Sequence, residues 1–278
     1  MYQFLLDFYQ FYPSTISKEK NYYSISYHFD QYFLYEVFDI DRVYWQASIT
    51  KTDDDYYSFV YNRFHSLISE YEKHFYVLLY CKKKEYLDYD FSIQKYHTCS
   101  VSLQWYHQWI KRIEYIESYY YEIKGKYNGI DESIDYYLGL MNLSIYLLSD
   151  YKNSTGIGCL QRKKYQKELW YNPLNVMIDL KEREFAEYLK YIFWNNQYQS
   201  IDLKNLIYKN RNQYNFQFVL ARVVYPNYYF DLVDQIVFFQ EDCEHIKGII
   251  SRSIEFSQYF DYLVMIIQEI YPIKKVSF

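Results

Sequence analysis

The hydrophobic period of this chain changes once, and that change limits what it can fold into. In NYYSISYHF, Tyr23, Ile25, Tyr27 and Phe29 alternate with Ser24, Ser26 and His28. That period of two is the mark of a half-buried strand. Phe33–Phe38 follows a polar turn, as the second arm of a hairpin would. SLISEYEKHFYVLLYC carries apolar runs on both sides of a charged turn at Ser69–Lys73. Phe75–Tyr80 is apolar on both faces, the pattern of a central strand. The opening Tyr2–Tyr12 has the composition of a short helix. From Leu103 onward the period becomes helical. Trp105–Ile123 runs without a breaker. After the Asn128-Gly129 turn, Asp131 is placed to cap a helix whose stripe is Ile134, Leu138, Met141, Ile145 and Leu148. Further helices are expected after Asp179 (with Phe185, Leu189, Ile192 and Phe193 on one face), at Asp202–Tyr208, Phe216–Tyr225, from Pro226 to Phe239, and at Ser251–Ile270. The expected class is α+β, with a β-rich part over residues 1–90 and a mainly helical part over residues 91–278, two lobes of one unit.

Composition explains the aromatic content without invoking function. Of 278 residues 41 are Tyr, whereas alanine occurs only at Ala47, Ala186 and Ala221. An AT-rich genome would produce this bias, and the tyrosines fall at periodic apolar positions, so they read as core. The net charge of −5 and the short basic runs Lys82–Lys84 and Arg162–Lys164 argue against nucleic acid as a partner. The first residues lack the basic start and cleavage site of a signal peptide, and no apolar run approaches the roughly 18 residues that span a bilayer. Four scattered cysteines suit free thiols in a reducing cytoplasm. No protein partner or oligomeric state is legible.

Glycine supplies the most useful exclusion. All six glycines lie at or after Gly125, so no glycine-rich phosphate loop can occupy the first 124 residues, and neither GxxxxGK[ST] nor GxGxxG occurs anywhere. Gly156-Ile157-Gly158 is expected to close the preceding helix. Cys81, His97, Cys99 and His107 match no zinc spacing, and no serine or cysteine sits in a nucleophile motif. The remaining candidate is Asp179, in NPLNVMIDLKEREFAEYLKYIFW. A carboxylate directly after a strand can hold Mg²⁺ beside a phosphate, with Asn175 as a second oxygen. It can equally cap the helix expected near Lys181, with Glu182 and Glu184 complementing the dipole. The residues alone favour the cap. Arg222 reads as a buried or lobe-bridging ion-pair partner and not a catalytic group.

Three segments together carry a resemblance. YNPLNVMIDLKEREFAEYLKYIFW, SIDYYLGLMNLSIYLL and VLARVVYPNYYFDLVDQI resemble, in this order, the strand–Asp–helix segment, the long helix before the catalytic loop and a C-terminal segment of bacterial spore-coat kinase-like proteins, distant relatives of aminoglycoside and choline phosphotransferases. The resemblance implies a protein-kinase-like bilobal fold, a small β-rich lobe followed by a larger helical one. It makes Asp179 the counterpart of the magnesium-binding aspartate and places the catalytic loop between Gly156 and Asn172. Active relatives carry a His-Gly-Asp-type motif there. This segment contains neither His nor Asp, and its only acid is Glu168. Arg162 and Lys163 stand in the vicinity and would neutralise phosphate charge if the protein were active. No lysine of the first part is assigned to pair with the phosphates, although Lys51 and Lys73 are available. What the resemblance implies is therefore a degenerate, non-catalytic member with no cofactor, or with ATP and Mg²⁺ if residual binding persists. The alternatives are a working phosphotransferase with an atypical loop and an α+β protein unrelated to kinases. Any spore association follows from the resemblance alone.

Overall fold

The computed structural model describes residues 1–19, 22–49, 57–81, 99–123, 125–127, 129–163, 176–239 and 244–273. The chain divides into two compact units, Met1–Phe91 with Gln166–Val176, and Ser92–Tyr165 with Met177–Phe278.

The first unit contains helix α1 (Tyr2–Tyr9), strands β1 (Thr15–Lys18), β2 (Tyr23–Tyr27) and β3 (Asp30–Val37), helix α2 (Ile40–Ile49), and strands β4 (Tyr57–Val60), β5 (Ile68–Tyr71) and β6 (His74–Cys81). They form an antiparallel sheet in the order β1-β2-β3-β6-β4, with β5 also paired to β6. The two-faced apolar run of β6 does what a central strand requires. Tyr76 and Leu78 join Phe4, Leu5, Ile25 and Leu34 in one cluster, while Val77 and Leu79 join Tyr35, Val37 and Val43 in another. The β5–β6 turn is tighter than the charged run suggested: Ser69 is buried in β5, and Glu72 and Lys73 alone turn the chain, both at positive φ. This mirror-image turn matches the twist of the strands. Two features depart from the periodic reading. Phe29 continues the alternation of β2 but sits in the β2–β3 turn after His28 at φ 54°, and is 89% exposed. Helix α2 lies within a part that read as mostly β.

The second unit contains β7 (Cys99–Ser102), α3 (Trp105–Ile123), α4 (Ile130–Leu148), β8 (Thr155–Arg162), β9 (Val176–Leu180), α5 (Glu182–Trp194), α6 (Leu203–Lys209), α7 (Phe216–Val224), α8 (Asn227–Phe239), α9 (Glu244–Ser251) and α10 (Ser253–Gln268). A three-stranded sheet in the order β7-β8-β9 lies among these helices in sequence. Side-chain caps start two of them: Asp202 accepts the Asn205 N–H of α6, and Asn215 accepts the Gln217 N–H of α7. Helix α4 begins earlier than expected. Its N-cap is Gly129, and Asp131 instead accepts the Gly125 N–H at 2.8 and 2.9 Å. Its buried face is centred on Tyr137, Leu140, Ser144 and Leu147, with Leu138 and Ile145 only half-buried. Serine can sit there because its hydroxyl finds a partner locally. Ser144 Oγ donates to the Leu140 carbonyl, and Ser133 pairs with the Tyr229 hydroxyl at 2.7 Å, where Tyr229 also stacks on Tyr137 at 3.8 Å.

Gly156 and Gly158 do not close a helix. They lie within β8, at positions where neighbouring side chains cross the backbone. A Cβ on Gly156 would stand 2.5 Å from Leu180 Cδ2, and one on Gly158 2.7 Å from both Val101 methyls. Gly139, within α4, has open space at its missing Cβ. Gly158→Ala is therefore expected to destabilise the protein by about 1–3 kcal/mol through overpacking. Gly139→Ala should stabilise it by about 0.4–1 kcal/mol through the unfolded chain and helix propensity. Urea denaturation of the two variants side by side measures both.

Candidate functional site

Asp179 stands next to the end of β9, three residues before α5 begins. Its Oδ1 accepts the Leu180 N–H at 2.7 Å and the Trp105 indole N–H at 3.1 Å. Its Oδ2 lies 3.2 Å from the same indole nitrogen and 3.4 Å from Arg183 Nε. Trp105 is the first residue of α3 and is buried. The carboxylate thus joins the end of a strand to the starts of two helices. It is not a helix cap: the N-cap of α5 is Lys181, and no side chain accepts a bond there.

Arg183 carries the connection onward. Its Nη1 donates to the Arg162 carbonyl at 2.8 Å and its Nη2 to the Lys163 carbonyl at 2.7 Å, so one guanidinium ties Asp179 to the end of β8. The Arg162 side chain turns inward and pairs with the buried Glu184 at 2.6 Å, whereas Lys163 is exposed. One turn further along α5, Glu187 accepts from Arg222 Nε at 2.7 Å and lies 3.7 Å from Lys190 Nζ. Lys190 donates to the Tyr225 carbonyl at 2.8 Å and to Asn227 Oδ1 at 2.9 Å. The Arg222 guanidinium packs over the rings of Trp105 and Tyr225, with Trp109 stacked on Tyr225 at 4.3 Å. Arg222 is thus buried and paired with Glu187, one of the two placements that the sequence offered.

The electrostatics follow from two carboxylates, Asp179 and Glu187, set among Arg183, Lys190 and Arg222. Burial alone would raise the Glu187 carboxyl, but Lys190, Arg222 and Arg183 overturn this and hold it well below the usual carboxylate range. Burial pushes the Lys190 ammonium down; Glu187 opposes the fall and the two arginines add to it. Burial likewise raises Glu182, whose carboxylate accepts the Asn215 N–H, and pushes the Cys159 thiol up to about 12, the nearby Glu184 adding to the rise.

Of the residues singled out from sequence, Asp179 and Arg162 are brought into one network through Arg183. Lys163 contributes its backbone carbonyl to it. Asn175 lies outside the described residues, as do Lys51, His97 and residues 164–172 of the expected catalytic loop; the first part of that loop is strand β8. Lys73 is in the β5–β6 turn. Among the described residues no group of three or more His, Cys, Asp or Glu is placed to hold a metal. Periodicity missed Trp105, Arg183, Glu187 and Lys190. The last three did leave a trace, since Asp179, Arg183, Glu187 and Lys190 follow one another at helical spacings of four, four and three. A stripe of charge on a helix is normally assigned to solvent.

No protein-family model matches the sequence, and no curated protein matches it. Solved structures do. An aminoglycoside phosphotransferase from Alicyclobacillus acidocaldarius superposes with a TM-score of 0.56 at 8% identity, over 93% of this chain and 92% of that one. A spectinomycin phosphotransferase, solved with ADP and spectinomycin, gives 0.53 at 11% identity, over 94% of this chain and 92% of that one. The chain has the kinase-like phosphotransferase fold, with an antiparallel sheet towards the N-terminus and a helical C-terminal region. At such identities the likeness is one of fold alone. Among the described residues no helix is long and apolar enough to cross a membrane.

A kinase-like fold implies a nucleotide with Mg²⁺. The surroundings of Asp179 do not fit that ion. Both carboxylate oxygens already accept N–H groups, and a guanidinium stands 3.4 Å from one of them, where a hard cation would need an open oxygen and room for water. What the arrangement does is bind structure together. The stabilisation from Glu187 is present above its ordinary pKa near 4.5 and is lost as pH falls below that value, because its folded-state pKa is depressed. Glu187→Gln is expected to lower stability at pH 7 by about 3–5 kcal/mol, since Arg222 and Lys190 lose their counter-charge. The difference from wild type should shrink as pH is taken from 5 to about 3. Denaturant midpoints of both proteins across that range check the sign.

Proposed function

We propose that this chain is a kinase-fold protein that does not transfer phosphate and acts as an interaction or structural component, a degenerate relative of the spore-coat kinase-like proteins. The observation that carries the reading is the engagement of Asp179. The one carboxylate positioned by the strand–Asp–helix layout is committed to Trp105 and Arg183. Two further facts support it. The segment Gly156–Asn172 contains no Asp or His to orient an attacking hydroxyl. Arg162, which would neutralise phosphate charge in an active protein, is paired with Glu184. Phosphoryl transfer rests on positioning and charge neutralisation, so losing these contributions together removes most of its basis. Its partner would be another protein. The free thiols of Cys99 and Cys159 support a reducing, cytoplasmic setting, with spore association as the further step the resemblance suggests.

The spectinomycin phosphotransferase of similar fold was solved with ADP, so nucleotide is the ligand to challenge the reading with. Thermal unfolding is followed with ATP, with and without Mg²⁺, for wild type and Asp179→Asn. A ligand at a hundredfold excess over its Kd contributes about 2.7 kcal/mol, a rise of roughly 5–10 °C for a chain of this size. We expect Mg²⁺ to add less than about 1 °C to any shift with ATP in either protein. A Mg²⁺-dependent rise of several degrees that Asp179→Asn abolishes would overturn the proposal in favour of an active phosphotransferase with ATP and Mg²⁺ as cofactors.

A further inference from the structure

A groove of about 550 Å³ opens where the segment after β7 meets the segment between α4 and β8. Its lining includes Ser102, Gln104, His107 and Lys111 from one side and Lys152 and Asn153 from the other. The volume is in the range of small-molecule sites. Its charge is unlike that of the rest of the chain. Acids outnumber bases by 35 to 30 overall, yet among the described residues no Asp or Glu lines this groove.

Four other cations of the second unit have carboxylate partners close by: Arg112 pairs with Asp234, Arg162 with Glu184, Arg222 with Glu187 and Lys204 with Glu269. Lys111 and Lys152 are exposed and have no ion-pair partner among the described residues. His107 and Lys111 are four residues apart on α3 and so share a face. The two rims are tied together, because the Leu103 N–H donates to the Ser154 carbonyl at 2.8 Å and Leu103 itself is buried. Trp105, just beyond the rim, is held by Asp179. The cations are thus carried on backbone that is already fixed, which limits the ordering a ligand would have to impose.

We infer that this groove binds a small polyanion, a phosphorylated or polycarboxylated metabolite whose charges lie between the Lys111 and Lys152 ammonium groups while the Gln104 and Asn153 amides and the Ser102 hydroxyl take its remaining polar atoms. The inference is independent of whether Asp179 can hold a metal, and magnesium-free conditions keep the two tests apart.

Isothermal titration in magnesium-free, low-salt buffer uses inorganic pyrophosphate and citrate as probes. Wild type is expected to bind at least one of them, with affinity falling as salt is raised. Lys111→Gln/Lys152→Gln should weaken that binding by about tenfold or more, because two unit charges leave the site. Lys126→Gln/Lys209→Gln removes the same charge from exposed positions outside the groove and should change it by less than about twofold. All four lysines are exposed, so the variants are expected to fold. The relative affinity for the two probes assigns the phosphate or carboxylate chemistry. Failure of wild type to bind either probe, unchanged binding in the first double variant, or equal weakening in the second would each overturn the site.

Discussion

The guanidinium of Arg183 is the contact on which the centre of the helical unit depends. A buried guanidinium is costly unless its donors are met. Here Nε faces Asp179 and the two Nη groups reach the carbonyls of Arg162, the last residue of β8, and of Lys163 just beyond it. Because Arg183 is in the first turn of α5, meeting those donors fixes the helix start against the strand end. Because Asp179 also accepts from Trp105, the same contact reaches the beginning of α3, which lies 74 residues earlier in the chain. The rest of α5 repeats the device one turn on, with Glu187 between Arg222 and Lys190. Breaking any member leaves a charge buried among charges.

The same contacts occupy the acid that this fold places beside a strand end. The likeness to solved phosphotransferases extends over more than nine-tenths of the chain at identities near one in ten. What such a likeness preserves is layers and connections, while sites are grafted on and can be lost. In this chain the acid beside the strand end takes part in a hydrogen-bonded cluster that contributes to the packing of α3 and α5.

The fold was largely legible because it rests on period. The two-faced run at Phe75–Tyr80 became the central strand β6, and the long helices from Trp105 onward sit where their spacing put them. The site was legible only in part. Asp179 announced itself by its place after a strand, but its partner Trp105 is brought to it by tertiary structure that no local window contains. Arg183, Glu184 and Lys190 were hidden by a sound rule, that charged residues face water, which fails when each charge has a partner. Gly156 and Gly158 misled for a related reason. Glycine signals either a left-handed turn or a close approach, and only the positions of Leu180 and Val101 decide between them.

Alanine is rare in this chain, and its three positions share a setting. Ala47, Ala186 and Ala221 all lie in helices and are buried, the last two completely, on α5 and α7, which pack against each other. A larger side chain at either of the last two would have to displace its packed neighbours. The spacing of α5 and α7 is thus set in part by two side chains of a single carbon each.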